Sequence, residues 1–289
     1  MDLKDGYTLM HEHMSIDLTP GDLGTESFEL LCTDLKEAYR YGVRNIVDMT
    51  NQSMGRAPEH IRRLTEETGI NIIMSTGHYL EQFIDPVIMD QSAEEIAQEA
   101  VRDLTEGIGD SGMKAGIIGE IAWCYDGPCE KELRSWEGMC MAARRTGAVV
   151  STHPSRGIQL IPQAEYLISH GIPPERIVIG HIEFYRDDET LKKLLGMGVY
   201  IGLDMIGKKA TKDDEFRANT VVKVKEWGYL DQMVLSLDLC RIQDLKSGGG
   251  YGYVHLFENF IPMLKKRGIT EEDIELMLKE NPKKVFRSC

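Results

Sequence analysis

Two histidines spaced by one residue, His11 and His13 in Met10-His11-Glu12-His13, close a short run that reads as a β-strand, Tyr7–His13. Side chains alternate along a strand, so both imidazoles aim at the same face. Two converging imidazoles are a ready pair of divalent-metal ligands. Four more oxygen or nitrogen donors lie at the ends of similar runs: Glu120, His153, His181 and Asp238. A lone His-x-His is often no more than a pair of polar strand residues. Six donors at strand ends are too many for one tetrahedral ion with an open position. They suit a binuclear centre, with ions roughly 3.5–4 Å apart sharing a bridging carboxylate and a bridging hydroxide.

The elements that must position these donors repeat along the chain. Eight runs read as strands: Tyr7–His13, Val43–Thr50, Asn71–Thr76, Gly116–Ile121, Ala148–His153, Ile177–Ile182, Val199–Asp204 and Met233–Asp238. Amphipathic helices separate them. Ser92-Ala93-Glu94-Glu95 forms a capping box that opens one helix, with Ile96, Ala97, Ala100, Val101 and Leu104 on one face. Leu133, Trp136, Cys140 and Ala143 make the stripe of the next. Thr270, followed by Glu271, Glu272 and Asp273, opens the last helix, and Asn281-Pro282 is expected to stop it. Eight strands alternating with helices predict a (β/α)8 TIM barrel, whose chemistry sits at the C-terminal strand ends. An open doubly wound sheet would place a Gly-x-Gly-x-x-Gly turn after an early strand, and none follows the first two. Gly248-Gly249-Gly250-Tyr251-Gly252 instead lies after the eighth strand, in a loop from Leu239 to Tyr253 long enough to imply function. No repeat or linker divides residues 1–289, so a single domain is expected.

Composition narrows the partners. A net charge of −14 argues against a grip on nucleic acid, whereas bound cations would make one pocket positive for a small anionic substrate. No apolar run approaches the roughly 20 residues of a membrane span. The start, Met1 to Gly6, lacks a basic and apolar leader, which predicts a cytoplasmic protein. Cys32, Cys124, Cys129, Cys140, Cys240 and Cys289 show neither zinc-knuckle nor disulfide spacing, and reduced thiols are expected. Cys240, two residues after Asp238, reads as a buried bystander.

Met10-His11-Glu12-His13, Lys114-Ala115-Gly116-Ile117-Ile118-Gly119-Glu120, Ser151-Thr152-His153, Gly180-His181 and Leu235-Ser236-Leu237-Asp238 resemble the phosphotriesterase family of the amidohydrolase superfamily. The likeness runs from about Gly6 to Pro282. It implies that His11, His13 and Asp238 hold the more buried ion, that His153 and His181 hold the more exposed one, and that the fourth-strand residue bridges them. Better-studied relatives carry a carboxylated lysine at that bridge. Here Glu120 supplies the carboxylate directly, and Lys114 lies six residues earlier, toward the other end of the strand. The shorter reach of a glutamate leaves metal spacing and substrate fit open. Tyr79, after the third strand, resembles a tyrosine that borders substrate in the family's lactonases. The resemblance also favours a homodimer, with Trp123, Trp136 and Trp227 as aromatic candidates for an interface.

Lys208 and Arg241 are candidate ligands for an anionic group. His78 is a candidate pocket residue, while His60, His170 and His255 fall in helical stretches and receive no role. Zinc is the expected metal, with manganese, cobalt or iron as alternatives for an imidazole and carboxylate set. The expected reaction is metal-assisted hydrolysis, in which a hydroxide bridging the ions attacks a carbonyl and Asp238 carries its proton to the leaving group. An ester or lactone is the first substrate reading, a phosphorylated or acidic sugar lactone in particular. A phosphotriester is the second, and a catalytically silent metal-binding protein the third. A Schiff-base lyase would need a lysine at a strand's C-terminal end, and none is found there.

Overall fold

All eight expected runs form strands in the computed structural model, which describes residues 3–15, 27–85, 88, 90–209 and 211–287. They are β1 Tyr7–Glu12, β2 Val43–Asp48, β3 Asn71–Thr76, β4 Ala115–Ala122, β5 Val150–His153, β6 Ile177–Ile179, β7 Tyr200–Leu203 and β8 Met233–Leu235. The strands pair in parallel in the order β1 to β8, the topology of the expected (β/α)8 barrel. Helices α1 Phe28–Arg40, α2 Pro58–Thr68, α3 Ala93–Thr105, α4 Glu130–Thr146, α5 Leu160–Ser169, α6 Asp188–Gly196 and α7 Asp214–Glu226 lie between successive strands.

Several strands stop earlier than their apolar runs because buried carboxylates take over the backbone donors at the C-terminal rim. Asp48 Oδ1 accepts from the amides of Met14 and Thr50, both at 3.1 Å. Asp204 Oδ1 accepts from the His181 amide at 2.9 Å. The seam between β8 and β1 uses the same device. Glu12 accepts from the Leu237 and Leu239 amides at 2.8 Å and from the Ser236 hydroxyl at 2.7 Å. The Asp238 amide donates to the His11 carbonyl at 3.2 Å. Glu12, between the two strand-end histidines, thus pins the strand that carries Asp238.

Two apolar layers follow from the alternation. Leu9, Ile46, Ile118, Ile179 and Leu235 face the helices. Met10, Val47, Ile73, Ile117, Val149, Val178 and Val234 fill the lumen, closed at its base by Val285 and Phe286. That filling leaves only the C-terminal end of the barrel open to chemistry. The capping box at Ser92 and Glu95 forms with both of its bonds. Leu133 departs from the expected stripe of α4: it is exposed, while Trp136 is buried. The helix opened by Thr270 does not stop at Asn281-Pro282. It passes through a π-helical turn, Leu276–Glu280, into a further helix, Asn281–Phe286, with Pro282 as its second residue. Asn281 Nδ2 there donates to the carbonyls of Leu230 and Met233 at 2.9 and 2.7 Å. Trp123 and Trp136 are buried and stacked on each other at 4.4 Å, so neither is available to an interface. Cys289 lies outside the described residues, and the other five thiols are free. Among the described residues no helix is long and apolar enough to cross a membrane.

Candidate metal centre

Two β-bulges aim the central donors inward. The pairing of β1 with β2 slips between Leu9 and Glu12, and that of β4 with β5 slips between Ile118 and Ile121. An extra residue in one strand shifts the alternation beyond it, which is how bulges re-aim side chains beside active sites. Glu120 therefore shares the lumen with Ile117, three residues earlier, which regular alternation would forbid. Gly119 makes this second bulge feasible. Its φ is +151°, and a Cβ would stand 2.8 Å from the Ser151 carbonyl oxygen. His181 and Asp238 sit just past their strands with φ of +49° and +53°, the positive-φ residues other than glycine among those described. Such strain persists where surrounding bonds over-determine the backbone, and it recurs at functional sites.

Glu120 is the hub. Its Oε2 lies 2.7 Å from His153 Nδ1, 3.3 Å from His11 Nε2 and 3.5 Å from His181 Nε2. Its Oε1 lies 3.5 Å from His13 Nε2. Asp238 Oδ1 stands 3.3 Å from His13 Nε2 and 3.9 Å from His11 Nε2. All six expected donors thus converge on one buried cluster. Three groups have ligand atoms mutually within 4.8 Å: His11, His13 and Glu120; Glu120, His153 and His181; and His11, His181 and Asp204.

The cluster fits divalent ions on its own contacts. Both His11 ring nitrogens are buried without a hydrogen bond, although carboxylate oxygens stand 3.3 and 3.4 Å away. His153 Nδ1 and His181 Nε2 face each other at 2.8 Å, a spacing that requires a proton or cation to keep two lone pairs apart. Four imidazoles and three carboxylates packed out of water form a donor set suited to zinc-like ions.

Electrostatics record the same crowding. Burial alone favours neutral imidazoles, yet the carboxylates of Glu120 and Asp204 outweigh it and hold His11 well above its usual pKa. Against the same burial, Asp238 and Glu120 raise His13 to about 9, and Asp204 raises His181 to about 10. His153 moves down, because burial and the His181 charge prevail over Glu120. Asp204 falls to about 2 and Asp238 lower still: burial opposes both shifts, but His181 and Lys208 respectively prevail.

Asp204 is a residue that sequence reasoning missed. Its Oδ1 lies 2.7 Å from His181 Nδ1, and its Oδ2 lies 3.4 Å from His11 Nδ1, so one carboxylate orients two imidazoles. The signal was present: Asp204 ends the seventh run just as Asp238 ends the eighth. Thr50 Oγ1 does similar work for His13, 3.1 Å from Nδ1. Tyr79 reaches the cluster, its hydroxyl 3.1 Å from His153 Nε2. Beside it a cavity of about 870 Å³ opens among the loops after β3, β4 and β5, lined in part by Leu80, Glu81, Tyr125 and Ser155. Lys208 contacts Asp238 Oδ2 directly and stands 3.3 Å from the Cys240 thiol, which is half-buried rather than fully buried. Arg241 follows in the same loop, half-buried, its amide donating to Asp244 at 3.2 Å. His78 turns away, its ring held between Gln52 and Ser135 at 2.8 and 2.7 Å.

Comparison with known proteins agrees with this fold. The sequence profile of the Phosphotriesterase family matches residues 2–286. The chain is 34% identical over 286 residues to the phosphotriesterase homology protein of Escherichia coli (strain K12), spanning 98% of each. A crystal structure of that protein, with phosphate in its active site, superposes with a TM-score of 0.95 over 99% of this chain and 100% of that one. An aryldialkylphosphatase of Saccharolobus solfataricus is 29% identical over 97% of this chain and 95% of its own. A mutant PTE-like lactonase from Deinococcus radiodurans, 30% identical, superposes with a TM-score of 0.86 over 99% and 97% of the two chains.

Proposed function

The chain belongs to the phosphotriesterase family and is a metal-dependent hydrolase, and on that premise we propose that it opens an ester or lactone bearing an anionic group. The observation that carries this reading is Lys208, a cation placed against Asp238 at the edge of the cluster. A phosphorylated or acidic sugar lactone is the substrate class that such a site would take. The phosphate in the active site of the E. coli relative supports an anion-accepting site, and the Deinococcus lactonase supports the carbonyl chemistry.

His11, His13 and Asp238 would hold one ion and His153 and His181 the other, with Glu120 shared between them. Zinc is the expected metal, as imidazole with carboxylate suits it. Bound there, a pair of divalent ions supplies Lewis acidity, bringing water ionisation toward neutral pH and polarising the scissile carbonyl. Asp238 accepts the proton of the attacking water and returns it to the leaving-group oxygen. Asp204 and Thr50 hold the imidazoles with the correct nitrogen toward the cluster. Tyr79 borders the substrate beside His153, and Lys208 with Arg241 binds its anionic end.

The test is a panel of lactones, phosphorylated lactones and an aryl phosphotriester, compared by kcat/KM on zinc-replete enzyme. Lactones should lead, with the phosphorylated ones losing most in Lys208→Ala. A phosphotriester turned over faster than every lactone would overturn the reading in favour of its rival, which the Saccharolobus relative represents.

A further inference from the structure

Beneath the loop that carries Lys208 lies a guanidinium shut off from water. Arg217, the fourth residue of α7, is fully buried, and each of its five N–H donors has an acceptor. Nη2 donates to the Lys208 carbonyl at 2.9 Å and to Thr211 Oγ1 at 2.8 Å. Nη1 donates to the Lys212 carbonyl at 2.7 Å and to Asp214 Oδ1 at 2.9 Å. The fifth bond, from Nε, goes to Glu183 Oε1 at 3.3 Å.

Glu183 is also fully buried, two residues after His181, and the same oxygen accepts from the Met205 amide at 2.8 Å, next to Asp204. Asp214 Oδ1 accepts in addition from the Gly207 amide at 3.0 Å. Desolvating an ion pair costs enough that a packed apolar pair would often serve stability as well. Here the charge is spent instead on the main chain of an irregular stretch, and only arginine offers a planar fork of five donors for it. The stretch so held contains Lys208, whose own peptide carbonyl is one of the acceptors and whose ammonium contacts Asp238.

We propose that Arg217 is a positioning residue for the anionic end of the substrate. By fixing the Lys208 peptide it sets where the ammonium stands at the edge of the cluster. Through Glu183 it keeps that loop in register with the segment that carries His181. This rests on the reading of Lys208 as an anion ligand, and Arg217 itself is too buried to meet the substrate.

Isothermal titration of zinc-loaded enzyme with inorganic phosphate, on wild type, Lys208→Met, Arg217→Lys and the double variant, tests it. Lysine keeps the charge opposite Glu183, but its donors share one nitrogen and cannot hold the Lys208 and Lys212 carbonyls together. Lys208→Met weakens phosphate about tenfold, the worth of one charge-assisted contact. Arg217→Lys weakens it roughly three- to tenfold, and this loss disappears in the Lys208→Met background because both act through one ammonium. Where Arg217→Lys does not fold, Thr211→Val carries the same test: it removes one acceptor, leaves the ion pair intact and costs roughly two- to threefold. An equal loss in both lysine backgrounds, as a merely structural clamp would give, or no loss in either, overturns the proposal. Phosphate left unbound, or bound equally by wild type and Lys208→Met, overturns the anion reading of Lys208 and this inference together. A Lys208-dependent phosphate site without the coupling overturns this inference alone.

Discussion

Acid should destabilise the fold through His78, and replacing that one side chain should remove a defined part of the loss. His78 is 2% exposed, and burial, helped by the Arg56 charge, lowers its pKa to about 4 from 6.5. Its neighbours explain the preference. The Gln52 amide nitrogen faces Nε2 at 2.8 Å, so Nε2 must accept, and Nδ1–H is left to donate to Ser135 Oγ at 2.7 Å. Protonation would set two donors face to face. The unfolded chain therefore takes up the proton first, and stability falls as pH is lowered through the window from 6.5 to about 4. The full shift is worth about 3 kcal/mol, and about 2 kcal/mol of it is already lost at pH 5 relative to pH 8. Urea unfolding of zinc-free wild type and His78→Asn at pH 5, 6, 7 and 8 measures the difference in slope, whatever constant offset the substitution adds. Equal slopes in the two proteins would refute the assignment of a buried neutral imidazole.

Asp204→Asn should leave the barrel folded and weaken zinc by roughly 10- to 100-fold, because it loosens the hold on His181 and His11; titration with a competing chelator reads this out. Gly119→Ala should destabilise by about 1–3 kcal/mol and reduce zinc uptake, since its Cβ meets the Ser151 carbonyl and its φ suits glycine. Chemical denaturation and metal analysis on one sample check both effects. Asp238→Asn should lose at least about 100-fold in kcat on the best lactone while melting within a few degrees of wild type. A metal-replete Asp238→Asn enzyme with wild-type kcat would remove the proton-carrying role.

The barrel was legible because each of its strands is a short apolar run, and helix caps such as Ser92 and Thr270 announce themselves by residue type. The convergence of its candidate donors was legible because strand ends are where a barrel places chemistry. What escaped was mostly set by tertiary contacts. The bulge that brings both Ile117 and Glu120 into the lumen depends on how β4 pairs with β5, which no local pattern encodes. The pairing of Lys208 with Asp238 joins loops thirty residues apart, and it draws in Cys240, whose position beside Asp238 had seemed incidental. The continuation of the last helix past Pro282 depends on Asn281 being claimed by carbonyls at the base of β8. Asp204 was a different kind of miss: its signal lay in the same strand-end rule that picked out Asp238.

The most direct test of the account is the metal content of protein purified without chelator, measured per chain by plasma mass spectrometry. Two equivalents of a divalent ion are predicted, falling to one or fewer in His11→Ala and in His181→Ala. One equivalent or none in wild type, even after incubation with zinc or manganese, would contradict a binuclear centre with Glu120 at its hub.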